Sequence, residues 1–309
     1  MSLSFGEKGH MNIFMKLTSE HGGFEGLSHS VSSEILNRYC DSIYMQYYCK
    51  FENQSYLMKI EWILRHFNAS KKITLSVLFF TQASYLMEHN VKNLSLYALY
   101  YSLFNAYSAN ILLLPSLPLT KAQKISHKRI FDYIDNFFVR PGIYEKDSVY
   151  LHNELRLMRE VYSYHLPLGG KFIQNEKGLD MDNLFSRLST LLPLVLQVSN
   201  MLSYFSHYAW EKKVGKISDE YEKYQTEVDQ MFFSFIEHHD HIGKYCLIDE
   251  EDYQRQGYAL RNYSSPFPIN WFITEKMCED LECGWEQVET GGYDINDVRE
   301  YLANTINAF

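Results

Sequence analysis

The chain has 309 residues, 46% hydrophobic and 22% charged, a composition that fits a globular protein of one large or two smaller domains. Only 7 Pro and 15 Gly argue against both a disordered chain and a sandwich. The net charge of −9 is uneven, with 17 Lys/Arg against 12 Asp/Glu over residues 60–213 and 7 against 20 over 214–309.

Residues 1–60 read as a mixed, partly helical segment of unassigned fold. The HGGFEGLSHS run at 21–30 reads as a loop, and helical spacing returns from Ser32 to Met58. Lys71 to His89 predicts a first strong helix. Asn93 to Leu114 predicts a second, because Tyr97, Tyr100, Tyr101, Phe104, Tyr107 and Ile111 recur at three- and four-residue steps. Pro115 and Pro118 end it. Thr120 to Phe138 predicts a third helix capped by Thr120, followed by a turn at Arg140-Pro141-Gly142. Val149 to Tyr164 predicts a fourth, with Leu151, Leu155, Met158 and Tyr162 as its apolar stripe. Asp180 to Trp210 predicts a long fifth, bent or restarted at Pro193. In the acidic end, Ser218 to His238 has helical spacing, Gly257 to Pro268 reads as a loop, and Thr274 to Cys283 and Ile295 to Ala308 read as short helices. The expected organisation is therefore an N-terminal segment (1–60), a helical bundle (61–213) and an acidic, mostly helical region (214–309).

Two segments, 93–120 and 188–210, carry no Lys, Arg, Asp or Glu and are long enough to span a bilayer. Asn105, Asn110, Gln197, Asn200 and His207, with several Tyr and Ser, are costly in lipid, so a protein core or a dimer interface is the expectation and membrane insertion is not. Five cysteines without a CxxC spacing, and a start without a signal peptide, fit free thiols and a cytoplasmic location. A mildly basic middle can attract nucleic acid that the acidic end would repel. A solvated acidic surface is the plainer alternative.

Chemistry concentrates in Leu151 to Gly170. Arg159 and His165 form the chain's one Arg-x(4–6)-His pair, where about one is expected by chance from composition. Histidine transfers protons near neutrality, and arginine grips two phosphate oxygens while staying charged. On a straight helix their side chains would point about 120° apart, so they converge only if the helix end unwinds, as Leu166-Pro167 encourages. A surface arginine and a capping histidine remain the alternative. His152, Arg156, Arg159 and Ser163 fall at helical steps and form a polar stripe that either lines a cleft or is solvated. Tyr164 is a candidate for base stacking, whereas Tyr162 reads as core. The EHHDH run (237–241) has weak zinc spacing and no partner motif, so no metal is expected. The chain contains no GxxxxGK[ST], GxGxxG or GxSxG pattern.

YYSLFNAYSA (100–109), SHKRIFDYIDNFFV (126–139) and REVYSYH (159–165) together resemble the HEPN family over roughly residues 68–210. The resemblance implies an all-α, HEPN-like antiparallel bundle that pairs as a homodimer. It implies a metal-independent, cofactor-free endoribonuclease of toxin or anti-phage defence type. Arg159 would bind the phosphate and His165 would transfer protons; with the stripe read from spacing as a cleft lining, His152, Arg156, Ser163 and Tyr164 are the expected RNA contacts, tRNA among the candidate substrates. A neutralising antitoxin or defence-system partner is implied as well, and the acidic region could dock it or mask the cleft. One departure stands out: Glu160 follows the arginine where active members often carry Asn, Asp or His. A carboxylate there repels phosphate unless it turns away or pairs with Arg156. A non-catalytic module that binds nucleic acid or a partner protein is the rival expectation.

Overall fold

The computed structural model describes residues 12–52, 55–164, 180–215, 217, 220–236 and 250–272. These are helical with no strand among them, so the chain is all-α. His165, the EHHDH run, Cys246, Cys278, Cys283 and the two helices expected after residue 273 lie outside the described residues.

Helix α1 (Ile13–Glu20) is capped by Asn12, α2 spans Glu25–Ser30, and α3 (Ser33–Lys50) is capped by Ser32. The expected loop at 21–30 is thus partly helical. The reason is tertiary: Leu27 is fully buried, and its N–H donates to Gln197 Oε1 at 2.9 Å. A third N-cap, Ser55, starts α4 (Tyr56–Glu88), which runs 33 residues and begins well before Lys71. The division expected at residue 60 therefore falls inside a helix. Asn90, in the left-handed region at φ 58°, reverses the chain into α5 (Lys92–Leu112), and Val91 N–H closes back on Leu86 O at 2.8 Å.

Helix α5 is the hub of the core. It packs on α4, on α8 (Lys146–Tyr164) and on α9 (Met181–Lys213). Its buried polar groups have partners: Asn110 donates to Val195 O (2.9 Å) and Ser199 Oγ (2.5 Å) and accepts from the Tyr144 hydroxyl, while Ser76 donates to Ser102 O. Arg65, with no exposed surface, donates to the carbonyls of Leu112 (2.9 Å) and Leu117 (2.8 Å) and pairs with Glu61 at 2.8 Å. The Tyr47 hydroxyl donates to Leu113 O. Side chains thereby satisfy the carbonyls at the end of α5 and one in the connection that follows it. Among the described residues, α9 alone is long and apolar enough to cross a bilayer, and 72% of its most apolar window is buried in the protein. It continues through Pro193 as one element.

The expected helix from Thr120 to Phe138 is broken. Helix α6 (Leu119–Gln123) stops at Lys124, and α7 (Arg129–Ile134) restarts and passes into a π turn over Asp135–Val139. Ser126 causes the restart: its Oγ accepts from Arg129 N–H (3.3 Å) and its carbonyl from Ile130 N–H (3.1 Å). In the acidic region, α10 (Gln225–Ile236) and α11 (Glu250–Asn262) bury Val228, Phe232, Ala259 and Leu260 against Tyr56, Ile60, Ile63, Leu64 and Phe67 of α4. Burial of Ala259 and Leu260 explains why 257–262 is helical where a loop was expected. Helix α12 (Ile269–Phe272) packs on α4 and α9, with Ile269 in the main core.

Candidate functional site: a basic cluster around Tyr100

Tyr100 faces α8 because α5 turns its tyrosine stripe that way. Its ring is buried, with the guanidinium carbon of Arg159 at 5.1 Å and the His152 ring at 5.6 Å. Its hydroxyl lies 2.5 Å from His127 Nδ1. His127 belongs to the break between α6 and α7, and its ring packs at 4.5 Å on Phe104. Had residues 120–138 formed one helix, His127 would have followed that helix's register. The Ser126 restart instead delivers it to α5 and α8.

Helix α8 supplies the rest. Arg156 donates to Glu160 at 2.7 Å and to Asn153 Oδ1 at 3.1 Å. Glu160 stands 3.6 Å from Arg159, so the carboxylate after the arginine is held mainly by Arg156. The Arg159 side chain is 15% exposed, and its buried Nε has no hydrogen-bond partner. His152 is 2% exposed, and its Nε2 is likewise buried and unpartnered. Two turns apart on one face of α8, these atoms flank the Tyr100 ring. Ser163 donates to Arg159 O and bonds the Tyr97 hydroxyl, both at 2.7 Å, and Tyr164 is 75% exposed. The structure therefore brings together His152, Arg156 and Arg159, leaves Ser163 at the margin and puts Tyr164 at the surface. Tyr162 is core.

The charges of the cluster act on one another. Burial, then Arg159 and Arg156, push the His127 pKa down, while Glu160 opposes them. His152 is lowered to about 4 by burial, then by Arg156 and His127. Burial raises the Tyr100 phenol, so it keeps its proton at neutral pH. Two cations, two imidazoles held neutral and a single carboxylate make a site short of negative charge. Outside it, Lys121, Lys124, Lys128 and Arg129 are exposed and form no ion pair among the described residues.

Sequence reasoning missed His127 and the support that Tyr100 gives it. The available signal was the SHKR run: a serine that can cap, beside a histidine, inside an otherwise helical pattern. Among the described residues no group of three His, Cys, Asp or Glu is placed to hold a metal. A cavity of about 440 Å³ between α1, α2 and α3 is lined by Phe14, Phe24 and Leu36 with His21 and Glu25. No buried polar atom there lacks a partner, so the chemistry points to the Tyr100 cluster. Comparison of the chain with known protein families, curated proteins and solved structures finds no significant match.

Proposed function

We propose that the chain is a metal-independent endoribonuclease of toxin or anti-phage defence type, cleaving RNA by attack of the 2′-hydroxyl. One observation carries the reading: a mostly buried arginine, Arg159, has an unpartnered Nε and only a 3.6 Å contact to a carboxylate. Such a group is costly to bury unless an anion completes it. A phosphodiester supplies the oxygens, and a guanidinium can grip two of them. Histidines beside the arginine suit proton transfer. The exposed Lys121, Lys124, Lys128 and Arg129 offer a track for the adjoining phosphates.

In this reading Arg159 binds the scissile phosphate and His165 transfers a proton. Arg156 positions Glu160 and adds positive charge, while Ser163 and Tyr164 lie where flanking nucleotides pass. His152, being buried, serves by packing against Tyr100 rather than by touching RNA. The resemblance to the HEPN family supports a homodimer through the bundle, a cytoplasmic location, and a neutralising antitoxin or defence-system partner. The test is cleavage of total tRNA and a matched DNA by wild type, Arg159→Ala and His165→Ala, with EDTA present. Cleavage of RNA alone, lost in both variants and leaving 2′,3′-cyclic phosphate ends, supports the proposal. No RNA cleavage by wild type overturns it.

A second reading has its own observation. Glu160 within reach of Arg159 weakens the site's pull on phosphate, which favours a non-catalytic module that binds nucleic acid or a partner protein. Such a module would keep its binding when His165 is replaced.

A further inference from the structure

Cleavage through the 2′-hydroxyl moves two protons, one off the 2′-oxygen and one onto the departing 5′-oxygen. Within one protomer the Arg159–His165 pair supplies a single imidazole. We propose that His127 is a second catalytic histidine, the base that takes the 2′-hydroxyl proton, oriented by Tyr100 and set beside the phosphate held by Arg159. The inference rests on the ribonuclease reading.

The geometry makes the argument. Nδ1 of His127 is engaged by the Tyr100 hydroxyl at 2.5 Å, which leaves Nε2 as the ring nitrogen for substrate. With Nδ1–H donating to the phenol oxygen, Nε2 carries the lone pair that a base needs. The phenol is itself locked, since the Tyr100 ring is buried between α5 and α8 and lies against Arg159 and His152. Arginine, phenol and imidazole thus form one connected unit: a shift of Tyr100 would move both the phosphate ligand and the base. The charged and titratable groups facing His127 are Tyr100 and Tyr101 on α5 and His152, Arg156, Arg159 and Glu160 on α8. Burial, aided by the two arginines and opposed by Glu160, favours the neutral, proton-accepting form of the free imidazole. A bound phosphate would offset them and stabilise the imidazolium as it forms.

The step balances. The Nε2 lone pair takes the 2′-hydroxyl proton as the 2′-oxygen bonds to phosphorus. The P–O5′ bond breaks with its electron pair on the 5′-oxygen, which takes a proton from a general acid or water. A 2′,3′-cyclic phosphate and a 5′-hydroxyl result, and nothing is oxidised or reduced.

The experiment compares wild type, His127→Ala, His127→Gln and Tyr100→Phe on a short RNA across pH 5–9 with EDTA. The His127 ring is followed in parallel by NMR as inorganic phosphate is added, in wild type and in Arg159→Ala. Both His127 variants should lose about 100-fold or more in kcat, with little change in KM, and should lack the acid limb of the pH profile. Tyr100→Phe should move the midpoint of that limb. Phosphate should raise the His127 pKa in wild type and leave it unmoved in Arg159→Ala. Wild-type rates in either His127 variant overturn the inference and leave the ribonuclease reading standing. Absence of cleavage by wild type ends that reading and the catalytic role with it. Absence of any phosphate response at His127 removes it from the phosphate site whether or not RNA is cut.

Discussion

Lowering the pH from 7.5 to 5.0 should destabilise this protein steeply through two buried histidines. Nδ1 of His66 is bonded to the carbonyl of Phe267, and its Nε2 is buried without a partner. Protonation would put an unpaired charged donor in the core, so burial lowers its pKa to about 3. His152 is lowered to about 4. In the unfolded chain both titrate near the ordinary value of 6.5. Depressed folded values mean that the unfolded state binds more protons below that pH. The stability is complete above about pH 6.5 and is lost as pH falls toward 4 and 3. At pH 5 the unfolded state gains about 1.5 pK units of protonation per histidine, about 2 kcal/mol each and about 4 kcal/mol together. That is a large share of a typical folding free energy of about 5–15 kcal/mol. His207, also lowered by burial, acts in the same direction. Urea unfolding at pH 7.5 and 5.0 measures the difference, and pH 5 keeps most carboxylates ionised. His66→Asn retains a donor for Phe267 and does not titrate, so its loss between the two pH values should be about 2 kcal/mol smaller than that of wild type. A wild-type loss under about 1 kcal/mol, or an undiminished loss in His66→Asn, would refute the argument that burial holds these rings neutral.

Three further outcomes are expected. Arg65→Ala leaves the carbonyls of Leu112 and Leu117 and the Glu61 carboxylate without their buried partner, and should cost about 3–5 kcal/mol in chemical denaturation; Arg65→Lys should recover little of it, because an ammonium lacks the planar fork. Lys128→Ala should weaken RNA binding similarly across sequences and lower the slope of log affinity against log salt by about 1, read by fluorescence anisotropy. Glu160→Gln removes the carboxylate from between Arg156 and Arg159 and should tighten RNA binding at low salt by about tenfold, the equivalent of about 1.4 kcal/mol; unchanged affinity would show that Arg156 already neutralises it.

The acidic region bears on how any truncation is read. Helices α10 and α11 cover Ile60, Ile63, Leu64 and Phe67, and the carbonyls of Phe267 and Pro266 hold His66 and His207. Deleting residues 214–309 would therefore strip core as well as charge. The role of the acidic end in masking the site or docking a partner is better tested by replacing exposed carboxylates such as Glu222 and Glu227.

Local sequence determined the helices with regular apolar spacing. Helices α5, α8 and α9 were legible because leucines and tyrosines recur at three and four residues, and because prolines or caps mark their ends. The candidate arginine was legible too, from its place near the end of α8. Which partners the uncharged segments would bury against was a tertiary decision: the polar groups in a run such as SLFNAYSANILLL argue for a core over lipid, but only the fold shows that Asn110 meets Val195, Ser199 and Tyr144. Short elements were decided the same way, since α2 and the end of α11 exist because Leu27, Ala259 and Leu260 are buried by distant helices. The site shows the difference most sharply. Arg159 and His165 are neighbours in sequence, but His127 reaches Arg159 through a helix break set by one serine and a ring supplied by α5. Spacing along a chain reports one helix face at a time, and this cluster is assembled from α5, α8 and the turn before α7.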